Sequence, residues 1–194
     1  GKVVAACEEE RFLREKSAYG RLPTNAVKKV LKISNINFRD IDLIVSTGVT
    51  YSSYELHLKK YFEHFFGSCP KISLHHHQKC HVALSFYSSG YENAMCLSLD
   101  ALGDGKSGLI AEASLKNGIR EIEFVDRTNS LGMFYTMMTY YLGFSDGDEY
   151  KLMGLAPYGK NKIDLSKIIK PTKKGWKFDN VFLQILVRAS FLNP

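Results

Sequence analysis

The sequence predicts an α/β fold. Three observations carry this: strand-like and helix-period runs alternate up to about residue 90, a β-meander signature follows, and the chain then turns helical again. KVVAAC (2–7) reads as a strand ending at Glu8-Glu9-Glu10-Arg11. Pro23-Thr24 opens a helix that Thr24 can cap, with Val27, Val30 and Leu31 at helical spacing. Phe38 to Asp42 leads into IDLIVSTG, a short apolar run of the buried parallel-strand kind. Residues 53–66 form a second helix with Leu56, Tyr61, Phe65 and Phe66 as its apolar members, and Pro70 stops it. KISL (71–74) is a third short strand. From about His76 to Tyr87 the pattern is helical, with Val82, Leu84, Phe86 and Tyr87 on two adjoining faces.

The period then changes. AMCLSLD (94–100) is a strand, ALGDGKSG a turn, GLIAEASL (108–115) a strand, Asn117-Gly118 a hairpin signal and IREIEFV (119–125) another strand. Asn129 or Ser130 caps the helix LGMFYTMMTYYLGF, which breaks at Gly143 to Gly147. DEYKLMGLAPYG starts a short helix that Pro157 and Gly159 end. Two sub-blocks therefore meet near residue 90. After Lys160 the chain is polar and basic up to Trp176, without repeats or low-complexity segments.

The 194 residues suffice for one good-sized domain or two small ones, and 45% hydrophobic content argues for a buried core over disorder. The apolar stretches fall far short of the roughly 20 residues of a membrane helix. GKVVAACEEERF turns acidic too early for a signal peptide. Cys7, Cys69, Cys80 and Cys96 form no CxxC pair and read as reduced thiols of a cytoplasmic protein. The net charge of +6 is diffuse apart from Lys167, Lys170, Lys173, Lys174 and Lys177, which suits a solvated face better than a nucleic-acid surface; an anionic small substrate is also compatible.

ISLHHHQKCHVALSF (72–86) holds four histidines and one cysteine. His77 and His81, spaced i, i+4, project from one face of a helix, as two metal ligands on one rigid element would. HxxxH by itself equally describes surface or core histidines, and Gln78 stands where a zincin would carry glutamate. His75 and His76 lie at the strand-to-helix junction as bystanders. Cys80 faces about 100° away from His81, which disfavours a thiolate ligand. Asp100 ends a strand before the turn Gly103-Asp104-Gly105, a usual place for a ligand or phosphate contact, although Asp and Gly also serve ordinary hairpin turns. Lys151 suits a phosphate contact and Gly154 a close backbone approach; both equally fit a surface helix.

In combination, AACEEERFLREK with RLPTNAVKKVL, then HQKCHVALSFYSSGYENAMCLSLDALGDG, then NSLGMFYTMMTYYLGFSDGDEYKLMGLAPYG resemble, in order, the amino-terminal domain of the carbamoyltransferase family. That family includes nodulation-factor and antibiotic O-carbamoyltransferases, and is related to the tRNA threonylcarbamoyladenosine synthase subunit and the hydrogenase-maturation carbamoyltransferase. The resemblance spans residues 2–160 and implies an actin/hexokinase-like (ribonuclease-H-like) lobe with a mixed sheet. Residues 161–194 would be a basic segment starting the next part of the fold.

The resemblance further implies a divalent metal, Fe2+ or Zn2+, on an HxxxH pair matched by His77 and His81. An aspartate 19 residues beyond the second histidine is matched by Asp100. It implies ATP and carbamoyl phosphate as co-substrates, a carbamoyladenylate, and a small-molecule hydroxyl as acceptor. Gly103, Asp104, Gly105, Lys151 and Gly154 fall on the nucleotide or phosphate side, and Glu9, Arg11 and Lys16 on the substrate side. Two positions depart from the family pattern: Gln78 replaces a histidine, and Ala101 replaces the glycine after the strand-end aspartate. The resemblance also implies that the family's first phosphate loop, last metal-ligand aspartate, second lobe and adenylate-forming domain lie outside this sequence, so that the fragment alone would be inactive. The competing readings are a tRNA threonylcarbamoyladenosine-type enzyme and a non-catalytic interaction domain; no membrane partner is expected, and a nucleic-acid partner is disfavoured.

Overall fold

The computed structural model describes residues 2–160, 162, 164–172 and 175–179. The chain resolves into two compact units. The first takes the residues up to Ser46 together with Ser52–Leu74, and the second takes Thr47–Tyr51 and the chain from His75 onward.

In the first unit, helix α1 (Glu9–Leu13) and helix α2 (Thr24–Ser34) precede strand β1 (Leu43–Ser46), helix α3 (Tyr54–Phe66) and strand β2 (Lys71–Leu74). β1 and β2 pair in parallel, from Leu43 opposite Lys71 to Ser46 opposite Leu74. The α3 side chains Leu58, Tyr61 and Phe62 recur at i, i+3, i+4. They are buried against Leu22, Val27, Phe38, Ile44, Ile72 and Leu74. Phe38 stacks on Phe66 with ring centroids 4.5 Å apart.

Three expectations change here. KVVAAC carries no strand; Val3 is 83% exposed and has no ladder partner among the described residues. Thr24 does not cap α2. It is the first helical residue, and its hydroxyl shares a 2.7 Å hydrogen bond with the Tyr61 hydroxyl. On α3, Leu56 and Phe65 are about half exposed. Leu56 lies two positions from Leu58, roughly 200° around the helix, so the two cannot share the core face.

The second unit holds helix α4 (His77–Ser89), strands β3 (Asn93–Gly103), β4 (Lys106–Ser114) and β5 (Gly118–Asp126), and helices α5 (Leu131–Tyr141) and α6 (Glu149–Leu155). A hairpin of β6 (Ile169–Thr172) and β7 (Gly175–Phe178) follows. β3, β4 and β5 form an antiparallel meander in that order. Parallel and antiparallel pairs thus occupy separate sheets rather than one mixed sheet among the described residues. The ALGDGKSG turn is tighter than expected. β3 runs on to Gly103, which pairs with Lys106, so the turn is only Asp104-Gly105, both at positive φ (51° and 77°). Positive φ at both central residues is the type I′ geometry that matches strand twist.

α4 belongs to this unit because Val82 and Phe86 pack on the meander with Cys96, Leu109, Ala111 and Ala113. The boundary between units therefore falls at Leu74/His75, upstream of the change of period near residue 90. Leu84 and Tyr87, on the other side of α4, are exposed. Ser130, the second of the two candidate caps, is the one used: its hydroxyl accepts from the Met133 N–H at 3.0 Å. The basic stretch before Trp176 contributes strand β6 to the β6–β7 hairpin, whose Phe178 stacks on Phe134 of α5. Lys173, Lys174 and the chain after Asp179 lie outside the described residues.

Candidate metal centre

Two stripes of α4 make the site. Gln78, Val82 and Phe86 recur every four residues and are the buried stripe. His77 and His81 occupy the adjoining stripe, about 100° away. At the α4 start the His76 Nδ1 accepts from the Gln78 N–H at 3.3 Å, so His76 is the helix cap, and its ring contacts Phe124. On β3, period-two alternation turns Ala94, Cys96, Ser98 and Asp100 to the same side, while Met95, Leu97 and Leu99 are exposed on the other. The inner side meets α4 in a graded series. Cys96 packs in the apolar cluster with Val82 and Phe86; Ser98 donates to the Gln78 Oε1 at 2.8 Å; and Asp100 reaches His77. The ladder shifts register between Leu99 and Gly103, and this irregularity frees Asp100 from strand pairing.

Three donor atoms converge as a result. The His77 Nε2 stands 2.8 Å from the Asp100 Oδ2 and 2.9 Å from the His81 Nε2, and the His81 Nε2 stands 3.6 Å from the same Asp100 oxygen. Among the described residues these are the ones whose donor atoms lie close enough together to hold a metal ion. The His77 Nε2 faces both the carboxylate oxygen and the second ring nitrogen, and which of the ring nitrogens donates depends on the tautomer. A divalent cation takes all three lone pairs at once. Bonds of about 2.0–2.2 Å from a metal to nitrogen or oxygen place neighbouring donors roughly 3.0–3.6 Å apart, and a shift of a few tenths of an ångström brings this triangle there. The side chains of His77 and Asp100 are about one-third exposed and that of His81 half exposed, so a further ligand can approach.

The surroundings hold this triangle in place. The Asp100 Oδ1 accepts the Ala101 N–H at 2.7 Å. The Ser130 hydroxyl reaches the Asp100 and Ala101 carbonyls at 3.0 and 2.7 Å, and Gly132 lies so close that a Cβ there would sit 2.5 Å from the Ala101 nitrogen. The start of α5 therefore packs directly on the peptide that carries Asp100. Gln78 is fully buried; besides its bond from Ser98, it donates to the Lys106 carbonyl at 3.1 Å. Its departure from the family pattern thus concerns the core stripe and leaves the donor triangle untouched. Burial pushes the Cys80 thiol up, and the Asp104 charge adds to this. Neither effect favours a thiolate.

The other candidate residues are placed as follows. Gly103 backs onto the His77 ring. The Asp104 carboxylate accepts from the Gly48 N–H (3.1 Å), the Thr50 hydroxyl (3.0 Å) and the His77 N–H (2.8 Å). Burial opposes ionisation of Asp104, but these donors outweigh it and hold its carboxyl below the ordinary aspartate range. Gly105 completes the turn. Lys151 pairs with Asp148 at 2.9 Å, which raises its pKa, and space beside Gly154 is open.

In the first unit, Glu9 accepts from the Asn25 and Ala26 N–H groups at 3.3 and 2.8 Å and from the Asn25 side chain at 2.7 Å. Arg11 pairs with Glu8 at 2.8 Å, and Lys16 lies in the following 3-10 turn. Sequence reasoning missed the supporting roles of Ser130 and Gly132. The cap position of Ser130 was visible, but what it packs against was not.

Two imidazoles on one helix and a carboxylate from a neighbouring strand define an α/β domain with a metal-type donor set. A family model, the carbamoyltransferase N-terminus, matches residues 54–186, and the chain belongs to that family. The chain is 32% identical to the nodulation protein NolNO of Sinorhizobium fredii over 181 residues, covering 82% of this chain and 26% of that protein. It is 42% identical to the nodulation protein NolO of Bradyrhizobium diazoefficiens over 83 residues, 43% of this chain and 15% of the relative. A protein from Synechocystis sp. is 30% identical over 210 residues, 85% of this chain and 33% of its own length. The chain therefore spans no more than about a third of these curated relatives. No helix among the described residues is long and apolar enough to cross a membrane.

Proposed function

We propose that this chain is the metal-bearing amino-terminal part of an ATP-dependent O-carbamoyltransferase. The enzyme moves a carbamoyl group from carbamoyl phosphate, by way of carbamoyladenylate, to a small-molecule hydroxyl. The observation that carries this is the convergence of His77, His81 and Asp100 on one cluster in a chain of the carbamoyltransferase family. These three residues would hold Fe2+ or Zn2+. When bound, the metal supplies Lewis-acid polarisation of a carbonyl oxygen. The residues themselves do the positioning: α4 fixes both imidazoles one turn apart, and the Ala101 N–H and the start of α5 fix the carboxylate.

Residues 2–160 would form an actin-like lobe, with the remaining lobe and an adenylate-forming domain supplied by the rest of the protein. Because the Asp104 carboxylate is committed to internal donors, a phosphate at the 103–105 turn would meet backbone there, and its countercharge would come from Lys151. On the substrate side Glu9 is committed as a helix cap, and Arg11, with its side chain 73% exposed, and Lys16 are the residues proposed to face an acceptor.

The test is carbamoyl transfer by the longer protein given ATP, carbamoyl phosphate and candidate hydroxyl acceptors. His77→Ala should abolish transfer. Transfer that survives His77→Ala overturns the reading, and salt-sensitive tRNA binding by the wild type would shift it to a tRNA-modifying enzyme.

A further inference from the structure

We propose that Gly103 and Asp104 are positioning residues of the metal centre: from the β3–β4 turn they fix the His77 imidazole and the start of α4 without entering the donor set. This rests on the metal-centre reading above.

Two independent contacts support it. Asp104 is 7% exposed and sits at φ 51°, a left-handed conformation that only a small fraction of non-glycine residues adopt. Its side chain is thereby turned inward, where both oxygens are used. Oδ2 accepts from the His77 and Gly48 N–H groups, and Oδ1 from the Thr50 hydroxyl. The first amide of a helix has no partner within the helix, so a buried carboxylate on the His77 N–H sets where α4 begins. The tie to Gly48 and Thr50 anchors that carboxylate on a second segment. It cannot move without breaking three bonds.

Gly103 acts on the ring instead of the backbone. The His77 ring lies close against Gly103: a Cβ at residue 103 would overlap the Cγ and Cδ2 of the imidazole. Any side chain at residue 103 must evict the ring from the pose that brings Nε2 to 2.8 Å from Asp100. Adjacent residues of one turn thus determine both where the helix carrying one ligand begins and where that ligand's ring can sit. A phosphate-binding role for the turn would need neither the ring contact nor a saturated buried carboxylate.

The test is Co2+ titration of the full chain, followed by its visible absorption, for wild type, Gly103→Ala, Asp104→Asn and His81→Ala, with thermal melting of each. Gly103→Ala and Asp104→Asn should weaken Co2+ binding by about 10–100-fold, the range for outer-shell partners, and should alter the absorption band. Unchanged binding and band in both variants overturn the proposal. The ring 15N shifts of metal-free protein separate its failure from failure of the metal reading. Both variants should move the His77 ring signals, and static signals overturn the positioning role whether or not Co2+ binds. A wild type whose Co2+ binding is unaffected by His81→Ala overturns the metal reading instead. Should Asp104→Asn not fold, Thr50→Val, which removes one donor to Asp104, replaces it. Wild-type affinity and ring signals in Thr50→Val and Gly103→Ala together then sink the proposal.

Discussion

The Nε2 of His77 and the Oδ2 of Asp100 stand 2.8 Å apart although 23 residues separate them in the chain. α4 supplies one and the frayed end of the β3 ladder the other. Asp100→Asn keeps the shape and removes the charge. Its Zn2+ affinity, read by competition with a chromophoric chelator, should fall by more than the ~10–100-fold typical of an outer-shell change. The same loss is expected for His81→Ala. An Asp100→Asn protein that binds Zn2+ like wild type would show that the carboxylate is no ligand.

Gln78 tests the neighbouring stripe. Replacing it with Met keeps the volume but leaves the buried Ser98 hydroxyl without its 2.8 Å acceptor and takes the Gln78 amide from the Lys106 carbonyl. The expected cost is about 1–3 kcal/mol in chemical denaturation, the usual penalty for orphaned buried polar groups. Zn2+ affinity should stay near wild type, because the donor triangle lies on the adjoining face. A Gln78→Met protein with intact stability and lost metal binding would reverse these assignments.

The donor cluster was legible in part. The i, i+4 spacing put His77 and His81 on one face of a helix, and the family resemblance, not the local pattern, singled out Asp100 at the end of a strand. That Asp100 meets His77 depends on the register shift after Leu99 and on how closely α5 packs at Gly132, both set by contacts distant in sequence. KVVAAC shows the opposite failure. Its β-branched composition is right for a strand, but strand formation needs a partner, and none stands beside it among the described residues. Thr24 departs from its expected capping role for a similar reason. Its side chain could cap the helix, but Glu9 already takes the amides, and the hydroxyl turns to Tyr61.

Glu9 therefore predicts stability more directly than catalysis. Its carboxylate takes the Asn25 and Ala26 amides of the first turn of α2 across 16 and 17 residues, a cap delivered from another helix. Glu9→Ala should cost about 1 kcal/mol, within the range for lost helix caps, seen as a lower denaturation midpoint. Glu9→Gln retains an acceptor and should lose less. If Glu9→Ala melts like wild type, the cap contributes nothing and the residue is released for a substrate role.

Tyr61 contributes a pH dependence to the first unit on the alkaline side. Burial pushes its phenol above the ordinary value; the Thr24 hydrogen bond opposes this, and the nearby Glu9 charge adds a lesser upward push. The folded state thus prefers the neutral phenol. In the unfolded chain the group ionises near pH ~10. Below that pH both states hold the proton and the contribution is constant. As pH rises past it the unfolded chain ionises first, and stability drains away until the folded phenol titrates too. Denaturation midpoints should therefore hold steady up to about pH 10 with respect to this group and fall above it. Tyr61→Phe should be less stable at neutral pH, having lost the 2.7 Å bond to Thr24, but should show a shallower alkaline decline. A phenolate signal assigned to Tyr61 by its loss in Tyr61→Phe, and titrating at or below the ordinary value, would contradict this account.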